Sequence, residues 1–172
     1  MSDHVSKPNE ELMTYLQKLN MERRKTLSDY QSNDQIGKLG KDFPLQILIV
    51  EDQLINQRLM MSLLRKFGYN SVAVNNGKEA VDILHIRRFD LILMDIEMPV
   101  MNGVEASRWI TSEGQLDYSP EIVAYTTKFS QSDLSIYLEL GIEYVIRKPA
   151  TIEKVLPALL SAIKKHHSER EI

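Results

Sequence analysis

The 172-residue chain is 43% hydrophobic and 26% charged, with seven glycines and six prolines, which fits one ordinary soluble domain with a real apolar core and some length to spare. Its formal charge of -3 gives no broad attraction to nucleic acid or to an anionic membrane surface, and zero cysteines excludes disulfides, thiolate metal sites and cysteine nucleophiles. No apolar run approaches a membrane span, and the N-terminal Met-Ser-Asp-His-Val-Ser-Lys-Pro lacks the apolar centre of a signal peptide, so a cytoplasmic location is expected.

Residues 1–42 carry seven basic and seven acidic residues and few apolar ones. Asn9 can cap a helix, and Leu12, Leu16, Leu19, Leu27 and Tyr30 fall near one helical face, interrupted by Arg23. The Ser-, Asn-, Asp- and Gly-rich stretch from Ser32 to Asp42 reads as a linker. These residues are therefore expected to be a partly helical extension plus linker, ahead of a domain over 43–167 and a short tail at 168–172. The basic runs Arg23-Arg24-Lys25, Arg87-Arg88 and Lys164-Lys165 read as solvated helix faces.

From Leu45 onward, short apolar runs recur at Ile47–Val50, Val72–Val74, Leu91–Met94, Ile122–Tyr125 and Tyr144–Ile146. They are continuous rather than alternating, as strands covered on both faces should be. Helical segments lie between them. Ile55, Leu59, Leu63 and Phe67 sit four apart, with Gly68 as a stop. Asn76-Gly77 opens a helix containing Ala80, Val81 and Leu84, and Gly103 opens one with Ala106, Trp109 and Ile110. Ser130 with Asp133 predicts a capped start, and Gly141 an end. Thr151 can cap a last helix striped by Ile152, Val155, Leu156, Leu159, Leu160 and Ile163, in which Pro157 must fall in the first turn or kink the helix. Five strands alternating with five helices predict an α/β fold with a parallel sheet between helical layers.

In such a sheet, chemistry gathers beyond the carboxyl ends of the strands. There the sequence places Glu51-Asp52 after the first strand, Asn75-Asn76 after the second, Asp95 after the third, Thr126-Thr127 after the fourth and Lys148-Pro149 after the fifth. Three carboxylates in one place repel, and a hard divalent ion such as Mg²⁺, which takes carboxylate oxygens plus waters, resolves the repulsion. A lysine at the rim neutralises further charge, and a threonine hydroxyl can donate to a phosphoryl oxygen. The set suits attack by a carboxylate oxygen on phosphorus, giving an aspartyl phosphate.

The segments Ile-Leu-Ile-Val-Glu51-Asp52, Leu-Ile-Leu-Met-Asp95-Ile-Glu-Met-Pro99-Val-Met-Asn-Gly103, the Thr126 strand end and Lys148-Pro149 together resemble a response-regulator receiver domain over about residues 45–166. The Glu-Asp-Gln-Leu-Ile-Asn56-Gln stretch and the Met-Pro-Val-Met-Asn-Gly loop look most like receivers of hybrid sensor kinases. The resemblance implies a doubly wound, flavodoxin-like sheet of order 2-1-3-4-5. It implies that Asp95 takes a phosphoryl group from a phosphohistidine, and that Glu51, Asp52, Asp95 and the Glu97 carbonyl hold Mg²⁺. Thr126 would bind the phosphoryl group, Lys148 would pair with it, and Pro149 would follow a cis peptide bond. The partners implied are a sensor histidine kinase or a histidine phosphotransfer protein, and an effector protein. Output is expected to run through protein–protein contact, with no direct contact to nucleic acid or membrane expected, and the N-terminal helix is a candidate for homodimerisation or partner choice.

Two positions depart from the family pattern. Val145 stands where an aromatic switch residue is usual, with Tyr144 one place earlier on the other side of the strand, and Thr127 follows the switch threonine where a small residue is usual. Thr127 is expected to impede water and small phosphodonors. His85 reads as helix surface, His166-His167 as a frayed polar end, Met60-Met61 as core and helix surface, and Trp109 as a packing residue. Two other functions fit parts of the pattern: a receiver fold used as a non-phosphorylated scaffold, and a phosphatase of the haloacid-dehalogenase type. The phosphatase family wants an acidic Asp two residues after its nucleophile, where this chain has Glu97.

Overall fold

The computed structural model describes residues 36–113 and 116–170, so the stripe expected over residues 9–30 lies outside the described residues. Five strands form one parallel sheet of order β2-β1-β3-β4-β5: β1 (Ile47–Val50), β2 (Ser71–Val74), β3 (Leu91–Asp95), β4 (Glu121–Thr126) and β5 (Tyr144–Arg147). Central β1 and β3 are buried at every position, whereas the edge strands β2 and β5 are only partly so. That is the burial that helices on both faces impose, and it accounts for the unbroken apolar runs.

Side chains alternate between two cores. Ile47, Ile49, Leu91, Leu93, Val123 and Tyr125 face one layer, made by α1 (Leu39–Asp42), α2 (Leu54–Lys66) and α6 (Ile152–Arg170). Leu48, Val50, Ile92, Met94, Ile122 and Ala124 face the other, made by α3 (Gly77–Leu84), α4 (Gly103–Arg108) and α5 (Gln131–Glu139). α5 starts as expected, with the amide and hydroxyl of Ser130 donating to Asp133 Oδ2 at 2.7 and 2.6 Å. α4 runs into a π-helical turn, Trp109–Glu113, where Thr111 and Ser112 hydroxyls donate to the carbonyls of Ser107 and Arg108. Among the described residues no helix is long and apolar enough to cross a membrane.

Several expectations are corrected. The end of the stretch read as a linker is a docked strap. Leu39 is buried in the first core, Gly40 N donates to Phe67 O at 2.8 Å, and the Tyr69 hydroxyl donates to Phe43 O at 2.9 Å. Gly40 lies so close to Gly68 that a Cβ on it would meet the Gly68 oxygen at 2.3 Å, so only glycine permits this approach. The apolar stripe of α2 is also rotated from the one expected. Leu63 and Phe67 are buried, but Ile55 is 81% and Leu59 38% exposed, and the core-facing residues are Gln57, Met60, Leu63 and Leu64. At 3.6 residues per turn a spacing of four drifts by roughly 40° each step, so the three steps from Ile55 to Phe67 turn roughly 120° around the helix and do not stay on one narrow face. Pro157 is the sixth residue of α6, past the first turn, and α6 continues to Arg170 through part of the segment read as a tail. His166 is not part of a frayed end: its Nδ1 lies 3.0 Å from Asp90 Oδ1, in a cavity of about 450 Å³ also lined by Arg88, Phe89, Tyr118 and Lys165.

Candidate functional site: an acidic pocket at the strand ends

Because all five strands run parallel, the residues that end them share one edge. The register pairs Val50 with Met94, Asp95 with Tyr125 and Thr126 with Arg147, so Glu51, Asp95, Thr126 and Lys148 are brought to the same end of the sheet. Lys148 N donates to Thr126 O at 2.9 Å, extending the ladder by one step, and the Lys148–Pro149 bond is cis, as the resemblance implied. The Lys148 ammonium then reaches Glu51 Oε2 at 2.7 Å and Asp95 Oδ2 at 2.8 Å, with the Tyr125 ring 4.8 Å away. Lys154, in the first turn of α6, donates to the carbonyls of Arg147 and Pro149 at 3.0 and 2.9 Å and so fixes the turn that carries Lys148.

Each carboxylate has its own support. Asp95 is 2% exposed, and its Oδ1 accepts the Glu97 amide at 3.2 Å. Gly103 lies against its main chain, where a Cβ would come within 2.1 Å of the Asp95 oxygen. The glycine expected only to open a helix therefore also lets the following loop close over Asp95. Glu51 is fully buried, and its Oε1 accepts the Gln53 amide at 3.0 Å and Asn56 Nδ2 at 3.2 Å. Asp52 is half-buried, and its Oδ1 is buried with no hydrogen-bond donor to it among the described residues.

The electrostatics follow from one cation facing three carboxylates. Burial pushes Asp95 up to about 6; Lys148 opposes that shift, while Glu51 adds to it. Burial also raises Asp52, reinforced by the hydrogen bond and charge of Glu51. Burial works against the charge of Lys148, but its bonds to Asp95 and Glu51 outweigh that and hold its pKa above the ordinary value. Oxygen ligand atoms of Glu51, Asp52 and Asp95 lie within 4.8 Å of one another. An all-oxygen donor set, a surplus of negative charge and a buried carboxylate oxygen without a donor fit a hard divalent ion such as Mg²⁺.

Thr126 is buried at the same edge, but its hydroxyl is engaged with its own loop: it donates to Lys128 O at 2.9 Å and accepts from Lys128 N at 3.2 Å. The Glu97 side chain turns outward, accepting the Thr127 hydroxyl at 3.3 Å and lying 3.4 Å from Lys128 Nζ. Tyr144 packs on the α2/α6 core and Val145 on the opposite one, the core to which Phe129 and Tyr137, stacked at 5.9 Å, also belong. No aromatic side chain of β5 therefore lies on Val145's side of the sheet. Sequence reasoning did not single out Gln57, whose amide ends the β1–β2 ladder. The signal was present as a polar residue in line with Met60, Leu64 and Phe67 on the buried face of α2.

The family model for the response regulator receiver domain matches residues 47–160. The chain is 36% identical over 116 residues to "Two-component response regulator 24" of Arabidopsis thaliana, covering 67% of this chain and 81% of that protein. Among solved structures it resembles the receiver domain of sensor histidine kinase PA1611 from Pseudomonas aeruginosa, which has a magnesium ion in its active-site cleft (TM-score 0.60, 32% identity, 70% of this chain and 98% of that one). It also resembles a Saccharomyces cerevisiae complex of the histidine phosphotransfer protein Ypd1 with the receiver domain of Ssk1 (TM-score 0.57, 33% identity, 64% of this chain and 83% of that one). The chain belongs to the response-regulator receiver-domain family of two-component signalling.

Proposed function

We propose that this receiver accepts a phosphoryl group on Asp95 from a phosphohistidine and signals by protein–protein contact. The observation that carries the reading is Asp95 itself, a carboxylate buried at the strand ends against Lys148 and within ligand distance of Glu51 and Asp52. One oxygen of Asp95 forms the new O–P bond as the P–N bond to the donor imidazole breaks, and the electron pair of that bond returns to the ring. Lys148 is placed to hold a phosphoryl oxygen, and Thr126 to receive another once its hydroxyl leaves Lys128. Glu51, Asp52, Asp95 and the Glu97 carbonyl would hold Mg²⁺, which would supply positive charge against the phosphoryl oxygens.

A protein donor must cover the rim of this pocket, and the rim is suited to it. Directly after Asp52, Leu54 and Ile55 are 60% and 81% exposed, and Val100 stands exposed on the loop after Asp95. Apolar side chains in that position support a phosphohistidine-bearing protein as donor, as does the likeness to a receiver bound to Ypd1. The Glu97 side chain is committed to Thr127 and Lys128, which does not suit it to the proton-donating role that a phosphatase reading requires. Incubation with acetyl phosphate or a phosphorylated histidine protein, in the presence of Mg²⁺, is expected to give a base-labile phosphoryl label on the protein. No label, or a label that survives Asp95→Asn, would sink the reading.

A further inference from the structure

Glu51 sits on the loop leaving β1, and nothing in the strand dictates where its carboxylate points. Two neighbouring amides of α2 hold the residue, Asn56 by its carboxylate and Gln57 by its main-chain carbonyl. Asn56 Nδ2 donates to Glu51 Oε1 at 3.2 Å and to Gln53 Oε1 at 3.4 Å. Gln57 Nε2 donates to the Glu51 carbonyl at 2.6 Å, to Asn75 Oδ1 at 3.2 Å and to Val74 O at 3.3 Å. Every neighbour of both nitrogens is an acceptor, so turning either amide over would set oxygen against oxygen. Asn75 in turn gives its amide and its Nδ2 to Glu79 Oε2 at 2.8 and 2.9 Å, so one hydrogen-bonded chain runs from α3 through Gln57 to Glu51.

Gln57 is only 7% exposed, at a position where a methionine or leucine would pack as well. Packing does not explain the amide; its acceptors do. With Oε1 held by Asn56 and the Gln53 amide, Glu51 presents Oε2 toward Lys148 and the pocket. Without Asn56, Oε1 keeps only the Gln53 amide and turns more readily toward Lys148. Mg²⁺ demands near-octahedral geometry and tolerates a misaimed ligand poorly.

We propose that Asn56 and Gln57 are positioning residues that aim Glu51 for Mg²⁺. The proposal rests on the reading of Glu51 as a metal carboxylate.

The test is calorimetric titration of Mg²⁺ alone into the full-length protein, at a temperature where each variant is folded, with thermal unfolding in EDTA alongside. Asn56→Ala and the volume-conserving Gln57→Met are each expected to raise the Mg²⁺ dissociation constant roughly 10- to 100-fold, the usual effect of removing an outer partner of a metal ligand. Arg58→Ala, on the exposed side of the same turn, leaves the constant unchanged. Variants that melt earlier in EDTA yet bind Mg²⁺ like the wild type would reduce the two amides to a structural role and overturn the proposal. Wild-type binding that Glu51→Gln does not weaken would instead remove the metal reading of Glu51 beneath it.

Discussion

Glu51 and Asp95, at the ends of β1 and β3, are held from inside the protein: by Lys148, by loop amides and by the two amides of α2. Thr126, at the end of β4, is equally buried, but what lies beyond it is not. Thr127, Lys128 and Glu97 meet in solvent through a 3.3 Å hydrogen bond and a 3.4 Å ion pair. Exposed pairs of this kind contribute little to stability, whereas breaking a buried one costs several kcal/mol. The half of the site that carries charge is preset, and the half beyond Thr126 is joined by contacts that exchange easily. Val145 adds no aromatic ring beside the Thr126–Lys128 loop, which is held by its own hydrogen bonds and by these exposed contacts.

The largest effect is expected in the preset half. Lys148→Met leaves Glu51 and Asp95 buried without their shared cation, which should destabilise the metal-free protein by about 3–5 kcal/mol near neutral pH. Denaturant unfolding in EDTA measures this, and added Mg²⁺ should recover part of the loss by replacing the missing charge. A variant as stable as the wild type would mean that the pairing does not hold this half together.

The next effect comes from the strain of ionising Asp95. In the folded, metal-free protein its pKa is raised from 3.8 to about 6, so between those values the folded state binds a proton that the unfolded chain has lost. The Asp95 contribution to stability is therefore lost as pH rises from about 4 to above 6, by about 3 kcal/mol. Asp95→Asn cannot ionise, so in EDTA it should be more stable than the wild type at pH 7.5 and lose that advantage toward pH 4. Mg²⁺ should narrow the difference at pH 7.5 by stabilising the wild type. Parallel pH profiles for the two proteins would show that Asp95 ionises without cost.

The preset half was largely legible in the sequence, because charges placed after continuous apolar runs mark the strand ends of a parallel sheet. What was missed depends on contacts between residues distant in the chain or on main-chain acceptors. Gln57 satisfies carbonyls of β1 and β2, which no side-chain pattern announces. The strap at Leu39–Asp42 has one buried leucine in a polar stretch, too little to give a period, and the Gly40–Gly68 approach that seats it exists only in three dimensions. The face of α2 was misread because residues spaced by four look like a stripe while drifting around the helix, leaving Ile55 outside and Met60 inside. His166 finds Asp90 at the opposite end of the sheet from the site, a pairing the chain order hides.

The smallest effect on stability belongs to the exchangeable half, and it tests what that half does. Thr127 donates to Glu97, two residues after Asp95, so the bond ties the β4–α5 loop to the β3–α4 loop beside the pocket. A net hydrogen bond of 0.5–1.5 kcal/mol, if it must open before water reaches the phosphoryl group, slows hydrolysis by roughly two- to tenfold. Thr127→Ala should therefore shorten the lifetime of phosphorylated Asp95 by that factor while leaving unfolding within about 0.5 kcal/mol of wild type. Glu97→Gln, which retains an oxygen to accept from Thr127 but gives up the charge facing Lys128, separates the two arms. If the hydrogen bond is the barrier, this variant keeps the wild-type lifetime; if the ion pair is, it loses phosphate as fast as Thr127→Ala. Slower phosphate loss in Thr127→Ala than in wild type would mean that the loops do not close the pocket at all.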